Sequence, residues 1–387
     1  MRSDEGAISR RGFARMLGAG AAFAAVRPAG VCGSVVQTPA GVGAASAATP
    51  ARAGAVVRLS SNENPYGPSP SALRAMTDAF GLAWRYPDEH AEELAAELAK
   101  LHGVTAKQII LGSGSGEILK LAAAAFTGPG RGLVVADPTF EAVVHHATAA
   151  RAEVSKVSLT PDYRHDLQKM LAAAGASAGL VYVCNPNNPT ATITPKEELR
   201  AFLSKAPRET VVLVDEAYHH YVESADYESL IPLVADYPNL VVARTFSKIY
   251  GMAGLRCGYC VAPLPLVERM RAQQAWDSVN IMAVVAALAS LRDAAQVEEG
   301  RRRNTEVRRY VYAELERLGY KYIPSAANFL MFDLRSDAHP FIEGMKQRGV
   351  EVGRFFPALP THMRVTVGTR ADMQAFVSAL RQLAAPA

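Results

Sequence analysis

The chain has 387 residues, which is enough to bury a large core and to form two domains. Hydrophobic residues make up 49% of it and charged residues 20%, as is typical of a soluble globular protein. The formal net charge is +4, but no basic helix carries interleaved aromatic residues, which argues against nucleic acid as a partner. The arginine run Arg301–Arg303 has acidic neighbours on a helical pattern and is interpreted as a solvated helix face.

The N-terminus has the pattern of an export signal. The adjacent Arg10 and Arg11, in the segment Ser9–Arg15, precede an apolar run from Met16 to Val26, and Ala45–Ala47 offers small residues at cleavage spacing. The apolar run is too short and too rich in alanine and glycine for a permanent membrane anchor. Because the pattern resembles a twin-arginine signal, residues 1–47 are predicted to direct export to the periplasm through the twin-arginine machinery. The alternatives are a leader without function and a protein that stays in the cytoplasm because its signal is not used.

After this leader, short apolar runs alternate with helical segments. The alternation predicts an α/β fold in which a mainly parallel sheet is covered by helices on both faces. The predicted strands cover residues 109–111, 132–136, 153–159, 179–184, 211–214 and 240–244, and the predicted helices among them cover residues 117–126 and 197–204.

The rest of the chain is typical of a smaller α+β domain. We predict an N-terminal arm at 48–70, a large domain at 71–265, and a small domain with a long interdomain helix at 266–387. The predicted elements of the last part are helical stretches at 265–291 and 298–318, strands at 329–334 and 363–367, and a helix after Ala371.

Polar residues follow several predicted strands, at the edge where parallel sheets place their ligands. In Ser113–Glu117, glycine and serine alternate before a helix, so backbone N–H groups can face a phosphate; an ordinary helix cap is the alternative. The segment Asn185–Thr190 contains two Asn-Pro steps. It is either a plain turn or a turn in which an asparagine such as Asn188 donates to an oxygen of a cofactor ring.

Asp215, Lys248 and Arg256 have complementary chemical needs. Asp215 ends the apolar run Val211–Val214, where an unpaired acid is costly, so it needs a partner such as a pyridinium N–H; a helix cap is the alternative. Lys248 lies among apolar residues, and a nucleophilic amine needs surroundings that free it from its proton. Arg256 needs an anion, for which phosphate is the natural candidate. Together these residues indicate a site for pyridoxal 5'-phosphate, PLP.

The spacing of Cys257 and Cys260 argues against a cysteine-based site. The two residues form a C-x-x-C pattern in an apolar, strand-like segment. Residues three apart on a strand point to opposite faces, so a disulfide or a shared metal is awkward there. Because no second ligand pair accompanies them, we predict no metal site.

From about Ser60 to the C-terminus, the chain resembles the fold-type-I PLP-dependent aminotransferases of class I/II. Within them it is similar to the branch that includes histidinol-phosphate aminotransferase. The ordered motifs are specific for the superfamily and less specific for the substrate. They are Ser61–Gly67, Arg85–Asp88, the turn at 113–116, Asp137–Phe140, the Asn-Pro segment at 185–190, Asp215–Tyr218, the lysine segment at 244–259, Ala327–Phe329 and Met363–Thr369.

The resemblance implies transamination between an amino acid, or an amine like histidinol phosphate, and a 2-oxo acid. It implies that Lys248 binds PLP covalently and moves a proton, that Asp215 pairs with the ring nitrogen, and that Tyr218 and Asn188 hold the ring hydroxyl. Further implied contacts are Ser115, Gly116, Thr245, Ser247 and Arg256 at the phosphate, Phe140 on the ring face, Tyr86 at the phosphate of the neighbouring subunit's cofactor in a homodimer, Arg364 at the substrate carboxylate, and Asn64 and Tyr66 in a segment that closes over the site.

Three positions depart from the family pattern. Ala191 stands where the family has glycine after Asn-Pro-Thr, and Phe140 stands where the histidinol-phosphate branch commonly has tyrosine. Arg354 is the candidate for a second substrate-binding arginine, in a shifted register. Because several PLP reactions share one scaffold, a decarboxylase acting on a phosphorylated amino acid and a β-eliminating lyase stay open, as does a non-catalytic exported binding protein.

Overall fold

The computed structural model describes residues 56–384, and the predicted export signal lies outside them. A seven-stranded sheet has the order β2-β8-β7-β6-β5-β3-β4. Strand β8 is antiparallel to both β2 and β7, and the other neighbours are parallel, so the prediction of a mainly parallel sheet is confirmed. The strands of the chain, in order, are β1 Val57–Arg58, β2 Ile109–Gly112, β3 Gly132–Asp137, β4 Val154–Ser158, β5 Ala178–Cys184, β6 Val211–Asp215, β7 Leu240–Thr245, β8 Gly258–Val261, β9 Lys321–Ile323, β10 Phe329–Asp333, β11 Val350–Glu351 and β12 His362–Thr366.

Eleven α-helices accompany these strands in the described part of the chain. Within residues 56–384, none is long and apolar enough to cross a membrane. The helices are α1 Pro70–Ala79, α2 Asp88–His102, α3 Ser115–Phe126, α4 Ala142–Ala149, α5 Leu167–Ala174, α6 Lys196–Lys205, α7 Leu264–Arg271, α8 Ile281–Leu291, α9 Ala294–Arg317, α10 Ala338–Gln347 and α11 Arg370–Ala384.

The helical stretch predicted from 265 to 291 is not continuous, because α7 ends at Arg271 and α8 begins at Ile281. Asn280 explains the restart: its side chain accepts a hydrogen bond from the backbone N–H of Ala283 and caps α8. Asp277 and Ser278 lie just before that cap, and aspartate and serine are residue types whose side chains compete with helix formation. The next helix, α9, begins at Ala294, four residues earlier than the predicted start at 298.

A second, smaller sheet is antiparallel and has the order β12-β10-β9, and β1 pairs in parallel with β11. The 24-residue helix α9 leads into this sheet. The predicted domain boundaries at 48–70, 71–265 and 266–387 stay a prediction.

The large sheet is buried on both faces. Along β6, Val212 and Val214 pack into one hydrophobic cluster, and Val211 and Leu213 pack into another. This two-sided burial explains why the strand reads as a continuous apolar run rather than an alternating one. The segment around β8 is also buried on both faces, because Cys257 packs into one hydrophobic cluster and Cys260 into the other. Both cysteines are free thiols.

Glu216 and Arg244 form a buried ion pair beneath the carboxyl edge of the sheet. The Nη2 and Nε of Arg244 donate to Glu216 Oε2 at 2.8 and 3.0 Å, and the two side chains are 7% and 1% exposed. The Ser229 hydroxyl and the backbone N–H of Leu230 also donate to this carboxylate. The pair therefore has a nearly complete set of partners, which is what a buried charge requires.

Glu216→Gln is expected to lower the free energy of unfolding by about 3–5 kcal/mol, because it leaves a buried guanidinium without its counter-charge. Urea unfolding followed by circular dichroism measures this change. The matched control is Glu228→Gln, which breaks a partly exposed pair with Arg200 and should cost far less. Equal losses in the two variants would contradict a structural role for the buried pair.

Stability is expected to fall between pH 6.5 and about pH 4, because several histidines are buried in their neutral form. Burial lowers the pKa of His165 to about 4, and burial likewise lowers the pKa of His102 to about 4 and that of His219 to about 3. As the pH falls below 6.5, the unfolded chain binds protons that the folded chain does not, so acid favours unfolding. His165 alone contributes on the order of 2 kcal/mol of destabilisation by pH 5.

The melting temperature as a function of pH measures this effect. His165→Gln removes one of the titrating groups and should make the decline between pH 6.5 and 4 shallower. His339→Gln, at an exposed position, controls for the substitution itself. An unchanged decline in the His165 variant would show that burial of this histidine does not contribute to acid sensitivity.

Candidate active site

The last residues of β5, β6 and β7 line a cavity of about 670 Å³. The first turn of α3, the start of α4, the segment after β11 and part of β12 contribute further to its wall. Parallel strands thus bring their carboxyl ends to one site, as predicted. Most of the predicted site residues line this cavity, namely Ser115, Gly116, Phe140, Asn188, Asp215, Tyr218, Thr245, Ser247, Lys248, Arg256, Arg354 and Arg364.

One end of the cavity is built to hold an anion. The first turn of α3 presents the backbone N–H groups of Ser115 and Gly116, which have no acceptor within the helix. Arg256 lies over this turn, and its Nη1 donates to the Ser247 hydroxyl at 3.3 Å. Gly114 has φ 77°, and a Cβ there would lie 2.1 Å from Arg256 Nη2, so only glycine allows this approach. Within the described residues Arg256 forms no ion pair, and its charge is available to a phosphate.

Asp215 is a buried carboxylate at the end of β6, with 2% exposure. The hydroxyl of Tyr182 donates to its Oδ2 at 3.0 Å, and the backbone N–H of Ala217 donates to its Oδ1 at 3.1 Å. Burial raises the pKa of Asp215 to about 6, while these hydrogen bonds and the charge of Lys248 oppose the rise. A cationic N–H in the cavity would stabilise the ionised form of this acid.

Lys248 follows β7, and its Nζ donates to the backbone oxygen of Asn62 at 3.2 Å. Burial lowers the pKa of Lys248 to about 8, and the positive charge of Arg364 adds to this effect while Asp215 opposes it. The amine is therefore closer to its neutral form at physiological pH than a surface lysine is. A neutral amine is the form that attacks an aldehyde.

Tyr218 is held in place by residues that the sequence motifs contain but that had no predicted role. Asn62 Nδ2 donates to the Tyr218 hydroxyl at 3.0 Å, and Asn328 Nδ2 donates to the backbone oxygen of Asn62 at 3.1 Å. The Tyr218 ring packs edge-on against Phe329, with centroids 5.0 Å apart. These contacts fix the phenol at the wall of the cavity, where it can donate to a ring oxygen.

Arg364, on β12, is 8% exposed. Its Nη1 donates to Asn188 Oδ1 at 2.7 Å and its Nη2 donates to the backbone oxygen of Ser60 at 2.6 Å, while Nε has no partner among the described residues. Burial lowers the pKa of Arg364 to about 10, and the nearby charge of Arg354 adds to this shift. A buried guanidinium without a carboxylate beside it is suited to an incoming carboxylate or phosphate.

The turn that carries Asn188 keeps its shape despite the alanine in place of glycine. Ala191 has φ 60°, in the left-handed region, where a residue with a Cβ costs about 1–2 kcal/mol. Its N–H donates to the backbone oxygen of Asn187 at 2.7 Å, and its oxygen accepts from the N–H of Ala326 at 2.8 Å. Because the backbone is held on both sides, Asn188 still reaches the cavity wall.

Asn64, Tyr66 and Tyr86 do not line this cavity. Asn64 Nδ2 donates to the backbone oxygen of Ile249 at 2.8 Å, and the Tyr66 ring lies 4.7 Å from the guanidinium of Arg303. Both residues border smaller neighbouring cavities. Tyr86 is 76% exposed. Their predicted roles in a closing segment and at a neighbouring subunit's cofactor stay predictions.

The groups around the cavity fit PLP. An anion cradle, a buried carboxylate and a lysine of lowered pKa face the same space. They are suited, in that order, to the phosphate, the ring nitrogen and the aldehyde of this cofactor. When bound, PLP supplies an electron sink for the charge that develops at the substrate α-carbon. Fold and site together define a PLP-dependent transferase of fold type I.

The chain belongs to the class I and II aminotransferase family, whose model matches residues 55–380. It is 41% identical over 333 residues to histidinol-phosphate aminotransferase of Moorella thermoacetica, covering 85% of this chain and 86% of the relative. It is 42% identical over 329 residues to the enzyme of the same name from Symbiobacterium thermophilum, with coverage of 84% and 90%. The crystal structure of histidinol-phosphate aminotransferase from Sinorhizobium meliloti in complex with pyridoxal-5'-phosphate matches with a TM-score of 0.79 and 28% identity, covering 85% of this chain and 91% of that chain.

These comparisons confirm the predicted fold class, cofactor and reaction type. The chain is a PLP-dependent aminotransferase, a class of enzymes that acts on small molecules. The comparisons support transamination rather than the decarboxylase, lyase or binding-protein alternatives.

Proposed function

We propose that the enzyme transfers the amino group of histidinol phosphate, or of a close phosphorylated amine, to 2-oxoglutarate. The main support is the presence of two arginines, Arg354 and Arg364, on the same cavity as Lys248. Arg364 is buried and has no ion pair within residues 56–384, and Arg354 lies at the rim with 49% of its side chain exposed. Two guanidinium groups suit the doubly charged phosphate of such a donor, and they also suit the two carboxylates of 2-oxoglutarate. The names of the relatives support histidinol phosphate as the donor.

In this proposal Lys248, Asp215 and Tyr218 are the catalytic residues. Lys248 Nζ takes a proton from the substrate α-carbon and later returns one. The negative charge of Asp215 keeps the ring nitrogen of the cofactor protonated. The Tyr218 hydroxyl would donate to the ring oxygen, and so would the amide of Asn188, whose Oδ1 accepts from Arg364 Nη1.

Donor preference tests this function. Purified holoenzyme is mixed with histidinol phosphate, histidinol, phenylalanine or glutamate, and conversion of bound PLP to its amine form is followed by absorbance. We expect histidinol phosphate to react at least about tenfold more efficiently than histidinol, because a charged hydrogen bond is worth about 1.5–3 kcal/mol. Equal efficiency with and without the phosphate would contradict the proposed donor. Conversion by none of these amines would contradict the proposed function as a whole.

We propose that the enzyme is a homodimer with shared active sites. The supporting observation is a set of exposed aromatic residues, a type that is enriched at interfaces. Phe80, Trp84, Tyr86 and Trp276 are 65%, 75%, 76% and 94% exposed in the single chain. Sedimentation equilibrium should give twice the mass of the chain, and Trp84→Arg should shift the population toward monomer and reduce activity. A fully active monomer would contradict this assembly.

We propose that residues 1–47 export the folded enzyme through the twin-arginine route. These residues lie outside the described part of the chain, so the support is the arginine pair followed by an apolar run and small residues. Replacing both arginines, with Arg10→Lys and Arg11→Lys, should leave the enzyme in the cytoplasm when cells are fractionated. Export that is unaffected by the double substitution would contradict the proposal.

A further inference from the structure

An ion pair crosses the rim of the active-site cavity. Arg354 Nη2 lies 2.6 Å from Glu141 Oε2, and the two side chains are 49% and 63% exposed. Glu141 immediately precedes α4, whereas Arg354 follows β11, so the pair joins two walls that are far apart in sequence. Both residues line the cavity.

Arg354 and Arg364 share one aromatic ring. The guanidinium carbon of Arg354 lies 4.2 Å from the centroid of the Phe356 ring, and that of Arg364 lies 5.4 Å from the same centroid. The two cations are therefore neighbours, and in the described part of the chain only the outer one, Arg354, has a carboxylate beside it, that of Glu141. A substrate whose first anionic group binds Arg364 would bring its second toward the position that Glu141 occupies.

We propose that Glu141 is a specificity-determining residue whose carboxylate competes with the second anionic group of a substrate for Arg354. The proposal rests on the proposed function in taking both arginines as substrate-binding groups. An exposed ion pair is weak, so a substrate anion can replace it. Glu141 thereby weakens the binding of substrates with a second anionic group relative to substrates with only one.

Three ligands of one length separate these cases. Butyrate, succinate and 3-phosphonopropionate share a carboxylate and differ only in the distal group, which is a methyl, a carboxylate or a phosphonate. Their dissociation constants are measured on the holoenzyme by calorimetry and by the absorbance of bound cofactor. Because no amino group is transferred, the measurement is valid even if histidinol phosphate proves not to be a substrate.

Glu141→Gln is expected to tighten the binding of succinate about two- to fivefold, since it removes a competitor worth about one exposed ion pair. Phosphonopropionate should gain by a similar factor, because it displaces the same ion pair, and butyrate should change least. Glu343→Gln makes the same charge change at an exposed position away from the cavity and should leave all three constants as they are. In an Arg354→Gln background, Glu141→Gln should no longer alter the binding of succinate.

Weaker binding of succinate in Glu141→Gln would overturn the proposal, because it would mean that Glu141 positions Arg354 for the ligand. An equal gain for butyrate and succinate would also overturn it, since the effect would then be a general change of charge. The proposal would likewise be overturned if Glu141→Gln still tightened the binding of succinate in the Arg354→Gln background. Circular dichroism and the melting temperature of each variant show whether it has folded.

Discussion

Lys248→Ala is expected to lower kcat for transamination by about 10³- to 10⁴-fold. The substitution removes both the amine that binds the cofactor covalently and the base that moves the proton at the substrate α-carbon. Burial already lowers the pKa of this amine to about 8, so its loss removes a group adapted to these two tasks. Steady-state kinetics with a 2-oxo acid acceptor, together with borohydride trapping of bound cofactor, measures the effect.

Two variants separate chemistry from charge. Lys205→Ala removes the same charge from an exposed position at the end of α6 and should keep normal activity. Lys248→Arg keeps a cation in the site but cannot bind the cofactor covalently, so it should be nearly as inactive as the alanine variant. If Lys248→Ala retained a tenth or more of wild-type activity, the assignment of this lysine would be wrong.

Asp215→Asn is expected to lower kcat by about 10²- to 10³-fold. This is the range found when an enzyme loses one preorganised group that stabilises charge in the transition state. The side chain keeps its size, but it loses the negative charge that holds a proton on the ring nitrogen. The carboxylate is 2% exposed, so water cannot replace that charge. Affinity for PLP, measured by dialysis and reconstitution, should fall in parallel.

Tyr182→Phe provides the matched control for the aspartate. It removes the hydroxyl that donates to Asp215 Oδ2 at 3.0 Å but leaves the carboxylate in place. One hydrogen bond to a charged group is worth about 1.5–3 kcal/mol. The kcat of Tyr182→Phe should therefore fall by less than the kcat of Asp215→Asn. If Asp215→Asn stayed within tenfold of wild type, the charge of Asp215 could not have the proposed role.

The sequence was most informative where chemistry and topology coincide. Asp215, Lys248 and Asn188 follow predicted strands, and parallel strands bring such positions to one edge. The glycines of the anion cradle could be recognised because a turn before a helix needs them for close approach. These features depend on local pattern and on general rules of sheet topology.

Other parts of the site depend on contacts between distant segments. Tyr182 reaches Asp215 from the neighbouring strand, and Asn62 reaches Tyr218 from 156 residues away in sequence. Nothing in the local pattern of these residues distinguishes them from ordinary strand or turn residues. The pair of Glu141 and Arg354 is a similar case, because only the fold brings the start of α4 to the segment after β11.

Nitrogen tracing measures the proposed reaction most directly. The holoenzyme is incubated with ¹⁵N-labelled histidinol phosphate and unlabelled 2-oxoglutarate, and the products are followed by mass spectrometry. The proposed function predicts that ¹⁵N appears in glutamate in equal amount to the donor consumed, and that Lys248→Ala forms none. Loss of the label as free ammonia, or consumption of the donor with 2-oxoglutarate untouched, would contradict it.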